Sequence, residues 1–228
     1  MMLDVTRGLF GRRLMLVDYE AAAQSYLEKL RPENHAESVS QGKQRAITLM
    51  SFSVLRASRS DVQVFNELLV QYPTPRRNRL GQVVPDNMVV VHSDRISATW
   101  SYDLPLQPVA PFWMIDYTSK SNRRKDYADN KRQFENELKV PYYLRFGTDT
   151  KKLTLFRHDG QKYMKVSASR QNRYCVQELE IELGLQDEWV RFWHCGELLM
   201  LPHELLSRLN ELERKVTRLR AQIGEAKN

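Results

Sequence analysis

The sequence predicts an α/β protein carrying an appended C-terminal helix, and three observations support that expectation. Short runs rich in β-branched and bulky apolar residues, among them Met88-Val-Val-Val91 and Phe112-Trp-Met-Ile115, have the length and composition of buried strands. Stretches from Asp18 to Leu30, Ala36 to Ala57 and Arg123 to Leu138 carry apolar residues at helical spacing. The tail differs from both. Leu205, Leu209, Leu212, Val216, Leu219 and Ile223 follow gaps of 4, 3, 4, 3 and 4, a heptad seam with charged residues between.

Composition sets the bounds. The 228 residues suffice for one core domain and an appendage: residues 1–17 as an N-terminal arm, 18–201 as the domain and 202–228 as a coiled-coil helix. A formal charge of +7 and a pI near 9.4 favour a polyanionic partner, though charge alone is a weak argument. Cys175 and Cys195 form no disulfide framework and read as small buried residues in a protein of the reducing cytoplasm. The apolar run after Arg12 and Arg13, Leu14 to Val17, is too short for a signal peptide, and nothing reaches transmembrane length. A cytoplasmic protein with no membrane partner is expected.

Taken in order, Asp18 can cap the first helix, which ends before Pro32. The second helix places Val39, Ile47, Met50 and Val54 on one face and Glu37, Gln41, Gln44 and Thr48 along another. That polar row is either a solvated stripe or the border of an active-site groove, with Glu37 as a third acid. Residues Asp61 to Tyr72 read as one strand entering the core, with Glu67 facing either the same site or water. Pro73, Pro75 and Gly81 bracket a loop bearing Arg76, Arg77 and Arg79, candidate contacts to a nucleic-acid backbone.

Pro85-Asp86 then opens a β-branched strand, and Pro111-Phe-Trp-Met-Ile-Asp-Tyr-Thr-Ser119 supplies another that ends on Asp116. A buried carboxylate needs a partner, because desolvating it alone is costly. If the two strands pair, Asp86 and Asp116 converge at one end of a sheet. The basic run that follows, including Lys120, Arg123, Arg124 and Lys125, would bring a helix N-terminus and its cations beside a bound phosphate. Two acids and a basic helix point to magnesium-dependent phosphodiester chemistry. The competing explanation gives one acid a turn to cap and the other a buried ion pair with an arginine. Further on, Val140 to Phe146 reads as a strand. Lys152 to Val166 reads as a hairpin about Asp159-Gly160, and Trp189 to Leu201 as another about Gly196. Three heptads are marginal in isolation, so the tail is expected either to pair with another chain, with a homodimer favoured, or to fold back on its own domain.

The ordered series Pro85-Asp86, Ile115-Asp116-Tyr117-Thr118-Ser119-Lys-Ser121, Arg123-Arg-Lys-Asp126 and Lys131 through Val140-Pro-Tyr-Tyr143 resembles the Uma-type restriction endonuclease family of bacteria, within the PD-(D/E)XK nuclease superfamily. The resemblance spans Val62 to Leu201 and implies a restriction-endonuclease-like core: a mixed β-sheet flanked by helices, with the acids gathered at one edge. It further implies DNA as substrate, with Mg²⁺ or Mn²⁺ held by Asp86, Asp116 and the Tyr117 carbonyl. The sequence departs from the superfamily pattern where a lysine normally follows the second acid by two residues, since Thr118 stands there. Relatives take the cation from the next helix, at the position of Asn130, which makes its neighbour Lys131 the candidate catalytic lysine, with Lys120 and Lys125 as substitutes. The expected activity is therefore metal-dependent DNA cleavage. The alternative is a catalytically silent nuclease fold that binds nucleic acid or a protein partner.

Overall fold

A computed structural model describes residues 18–29, 38–74, 79–119 and 124–225. Four helices and thirteen strands are described: α1 (Tyr19–Lys29), α2 (Val39–Leu55), β1 (Val62–Asn66), β2 (Leu69–Pro73), β3 (Leu80–Val83), β4 (Asn87–Val91), β5 (Ser101–Asp103), β6 (Trp113–Thr118), α3 (Arg124–Arg132), β7 (Tyr142–Gly147), β8 (Lys152–His158), β9 (Tyr163–Lys165), β10 (Arg173–Val176), β11 (Ile181–Gln186), β12 (Trp189–His194), β13 (Glu197–Leu198) and α4 (Pro202–Glu225). The central sheet has six strands in the order β1-β4-β6-β7-β8-β9 and is mixed, because β6 and β7 run parallel while its other neighbours are antiparallel. A parallel pair needs a long crossover. Helix α3 lies within the one that joins β6 to β7.

Strand alternation sends successive side chains to opposite faces, and each face carries its own core. On one face Trp113, Ile115, Tyr117, Tyr142 and Leu144 pack with Phe52 and Leu55 of α2 and with Ile181, Leu183 and Phe192 of the antiparallel sheet β10-β11-β12-β13. Phe52, Trp113 and Phe192 meet edge to face, with centroids 5.4 to 6.2 Å apart. On the other face Met88, Met114, Tyr143 and Phe156 pack with Phe134 and with Val70, Tyr72 and Tyr102 of the small sheet β3-β2-β5. The fold is a mixed sheet flanked by helices and two smaller sheets.

Several local expectations hold. Asp18 Oδ1 accepts from the Ala21 N–H at 3.0 Å at the start of α1. Ser38 and Gln41 form a reciprocal capping box at the start of α2, a cap that had not been expected. Asp159-Gly160 turns the β8–β9 hairpin. Cys195 and Gly196, both at positive φ (49° and 81°), turn the β12–β13 hairpin.

Three expectations are corrected. Residues Asp61 to Tyr72 are two strands in two sheets: Glu67 adopts a left-handed φ of 46°, so β1 pairs with β4 while β2 joins β3 and β5. Helix α2 buries its polar row as well as most of its apolar one: Ile47 is core and Val54 packs against the core. Val39 is 91% exposed, whereas Gln41, Gln44 and Thr48 are buried, because the helix packs against backbone edges that need donors and acceptors. Cys175 and Cys195 are exposed rather than buried. Strands β3, β5, β10 and β11 were not anticipated; β3, β5 and β10 have only three or four residues, while β11 alternates apolar and polar residues around Gly184. Among the described residues no helix is long and apolar enough to cross a membrane. The arm, Glu37, Arg76, Arg77, Lys120 and Arg123 lie outside the described residues.

Candidate functional site

The pairing of β4 with β6 creates the site. Asn87 stands opposite Ile115, so Asp86, one residue before β4, falls beside Asp116 near the end of β6. The Asp86 N–H points at Asp116 Oδ1 at 3.5 Å, and the Tyr117 N–H donates to Asp86 Oδ2 at 2.5 Å. Asp116 follows Met114 onto the second face of the sheet and is 1% exposed. There it accepts from the Tyr143 hydroxyl at 3.0 Å and from the Asn130 side chain of α3. All three of these donors are neutral. Burial first, and the neighbouring Asp86 charge second, push the Asp116 carboxyl up to about 7, with Tyr143 and Asn130 opposing the shift. Burial also raises Asp86, against the pull of the Tyr117 N–H and of Arg45.

Helix α2 supplies the opposite wall. Gln41 Nε2 donates to the Tyr117 carbonyl at 2.5 Å while its Oε1 completes the capping box, so both ends of the amide are committed. One turn on, Arg45 is 8% exposed and bridges two acids: Nη2 to Asp86 Oδ1 at 2.8 Å and Nη1 to Glu67 Oε1 at 3.0 Å. The Glu67 N–H in turn reaches the Asp86 carbonyl at 3.2 Å, which ties the turn after β1 to the acid pair. Gln44 is spent on structure, since it exchanges two hydrogen bonds with the Val190 backbone, at 3.0 and 2.9 Å. The Tyr117 hydroxyl, on the first face, donates to Asn87 Oδ1 at 2.9 Å and lies 2.6 Å from Thr48 Oγ1. Of the polar row, Gln41 borders the acid pair through the Tyr117 carbonyl, whereas Gln44 and Thr48 pair with Val190 and with the Tyr117 hydroxyl on the first face.

The cations named from sequence are placed as follows. Lys131 lies 4.9 Å above the Phe156 ring and 3.9 Å from Glu135 Oε2. Its predecessor Asn130 is the residue of α3 that reaches Asp116. Just after them the chain passes into a π turn over Gln133–Glu137, closed by Leu138 N–H to Gln133 O at 2.9 Å. Thr118 Oγ1 is 3.5 Å from the Phe146 carbonyl. Arg124 and Lys125 are in the first turn of α3. Sequence reasoning missed Arg45, although it stands four residues after Gln41 and so falls on the same helix face. It also gave no role to Tyr143 or to Arg145, the register partner of Asp116.

A second group of potential ligands lies elsewhere. Glu180, His194 and Cys195 bring their donor atoms within 4.8 Å of one another where β11 and β12 meet, and His194 Nε2 is 3.7 Å from Cys195 Sγ. Its nitrogen and sulfur donors suit a softer metal than the all-oxygen acid pair does. Arg59, held mainly by Asp61, also feels the charge of Glu180.

The family comparison agrees with the ordered motifs. No curated protein matches the chain. Among solved structures, the chain is similar to a crystal structure described as "a putative nuclease belonging to DUF820" from Anabaena variabilis ATCC 29413. The TM-score is 0.42 and the identity 15%, over 57% of this chain and 68% of that one. The profile of the Uma2 family, described as "Putative restriction endonuclease", matches residues 32–190. That match begins well before Val62 and takes in α2 with Gln41 and Arg45. Covering more than half of the chain, it assigns the protein: the chain belongs to the Uma2 family.

Proposed function

We propose that the protein is a cytoplasmic, divalent-metal-dependent DNA endonuclease that hydrolyses phosphodiester bonds at the Asp86–Asp116 pair. In this reading residues 18–201 form the nuclease unit and the seam of α4 joins two copies. The observation that carries it is the acid pair itself: two carboxylates, one just before β4 and one on the adjacent β6, the latter 1% exposed and served by neutral donors, in a chain of a restriction endonuclease family.

The donor set fits Mg²⁺ or Mn²⁺. Asp86, Asp116 and the Tyr117 carbonyl are hard oxygen ligands, and each oxygen already accepting one hydrogen bond keeps a second lone pair. A buried carboxylate beside another carboxylate is short of positive charge, which is why the Asp116 proton is retained to about 7. A bound ion would supply Lewis-acid polarisation of the phosphate and a water of lowered pKa. The chain's own groups hold and orient that site. The Tyr117 N–H aligns Asp86, and Tyr143 and Asn130 align Asp116. Arg145, on the face of the sheet that carries Asp116, offers a cation to an anionic substrate, as does Lys131 from α3. Arg76, Arg77, Lys120, Arg123, Arg124 and Lys125 are proposed to follow the nucleic-acid backbone.

A second reading, a nuclease fold that binds without cutting, is favoured by the absence of a lysine at Thr118 and at Asn130. Plasmid nicking with Mg²⁺, Mn²⁺ or EDTA separates the two, with Asp86→Ala and Asp116→Ala as controls. Metal-dependent nicking lost in both variants is the expected result. Salt-sensitive DNA binding without nicking in any metal would favour the silent fold. A chain that neither nicks nor binds would sink both.

A further inference from the structure

We propose that Arg45 is a built-in competitor for the divalent cation, a guanidinium that holds the acid site in its metal-free state and must leave Asp86 before the metal is seated. The inference rests on the metal-site reading above and adds a residue whose effect on the site is inhibitory. Its basis is geometric. Arg45 is nine-tenths buried and its two terminal nitrogens are 2.8 Å from Asp86 Oδ1 and 3.0 Å from Glu67 Oε1. The Asp86 oxygen it takes belongs to one of the two carboxylates that would bind the ion. A single positive charge so close to an incoming doubly charged ion, in a part-buried site, opposes it strongly.

Glu67 gives the displaced guanidinium somewhere to go. It is half exposed, stands on the left-handed turn after β1, and already holds the other Arg45 nitrogen. With Asp86 taken by the ion, Arg45 keeps Glu67 as a partner and its charge remains paired. Gln41 and Arg45 lie one turn apart on α2, so a single helix face covers both the Tyr117 carbonyl and Asp86. The helix therefore sets how easily a metal enters. The acid pair of this chain should bind its ion weakly, and the weakness should be removable by one substitution.

The test is Mn²⁺ binding to the full chain, without nucleic acid, by calorimetry or by the loss of the free Mn²⁺ paramagnetic signal. Arg45→Gln should bind Mn²⁺ at least about tenfold more tightly than wild type, because a buried positive charge has been removed beside the site. Arg45→Lys, which keeps the charge, should remain close to wild type. Asp116→Asn should abolish binding in every background, and far-UV circular dichroism checks each fold. Glu67→Gln, at a half-exposed position that tolerates change, should weaken binding by leaving Asp86 as the acid Arg45 must hold. It tests the idea even where Arg45→Gln is too unstable to purify.

Asp116-dependent binding that Arg45→Gln leaves unchanged or weaker would overturn the competitor and leave the metal-site reading standing. Unchanged or tighter binding by Glu67→Gln would do the same. No Mn²⁺ binding by any form would overturn both.

Discussion

Asp116→Asn should stabilise the protein at alkaline pH and lose that advantage in acid. The folded protein holds the Asp116 proton up to about 7, whereas the unfolded chain has released it by the ordinary carboxylate range near 3.8. The folded state therefore binds more protons between those values, and stability falls as pH rises across that window. A displacement of roughly three pK units at about 1.4 kcal/mol each gives about 4 kcal/mol of destabilisation once the carboxyl is fully ionised. Asparagine is nearly isosteric, carries no charge and keeps an oxygen for the Tyr143 hydroxyl. Its amide must face donors on the other side, which returns about 1–2 kcal/mol. The net expectation is a gain of about 2–3 kcal/mol at pH 8 that has vanished, or become a loss of up to about 1 kcal/mol, near pH 4.5. Urea melts of both proteins across that range, without divalent metal, read the difference directly. A difference independent of pH, or an asparagine variant less stable at pH 8, would refute the electrostatic account of the site.

Other outcomes follow from the same packing. Gln44→Ala should cost about 2–4 kcal/mol in denaturant melts, because it strands the buried Val190 N–H and C=O that the amide pairs and opens a small cavity between α2 and β12. A loss below about 1 kcal/mol would mean that water or another side chain takes over. The seam of α4 is exposed along its whole length, from Leu205 at 43% to Ile223 at 58%. Leu212→Glu should convert a dimer to a monomer by light scattering without lowering the stability of the core. A wild-type chain already monomeric at high concentration would refute pairing through this helix.

Much of the architecture was readable locally. Asp18 carries cap chemistry, Asp159-Gly160 carries turn chemistry, and the heptad gaps from Leu205 to Ile223 carry helix periodicity, all within a few residues of the feature they produce. Asp86 and Asp116 could also be named, because a carboxylate at the end of an apolar strand has no cheap role in a core. Periodicity gave the polar row of α2 but not its direction. A row of Gln41, Gln44 and Thr48 reads as solvent-facing until the backbone it must satisfy, at Tyr117 and Val190, is brought against it.

The break at Glu67 was equally invisible, since a left-handed φ at a glutamate is not a local preference. The chain order of strands, caps and seam was set by local chemistry that acts over one turn or one pleat. Tertiary structure alone decided which polar groups meet. Arg45 lies 41 residues from Asp86 and Gln41 lies 76 from Tyr117, and only the docking of α2 across the ends of β4 and β6 puts a cation on one acid while the other stays buried among neutral donors.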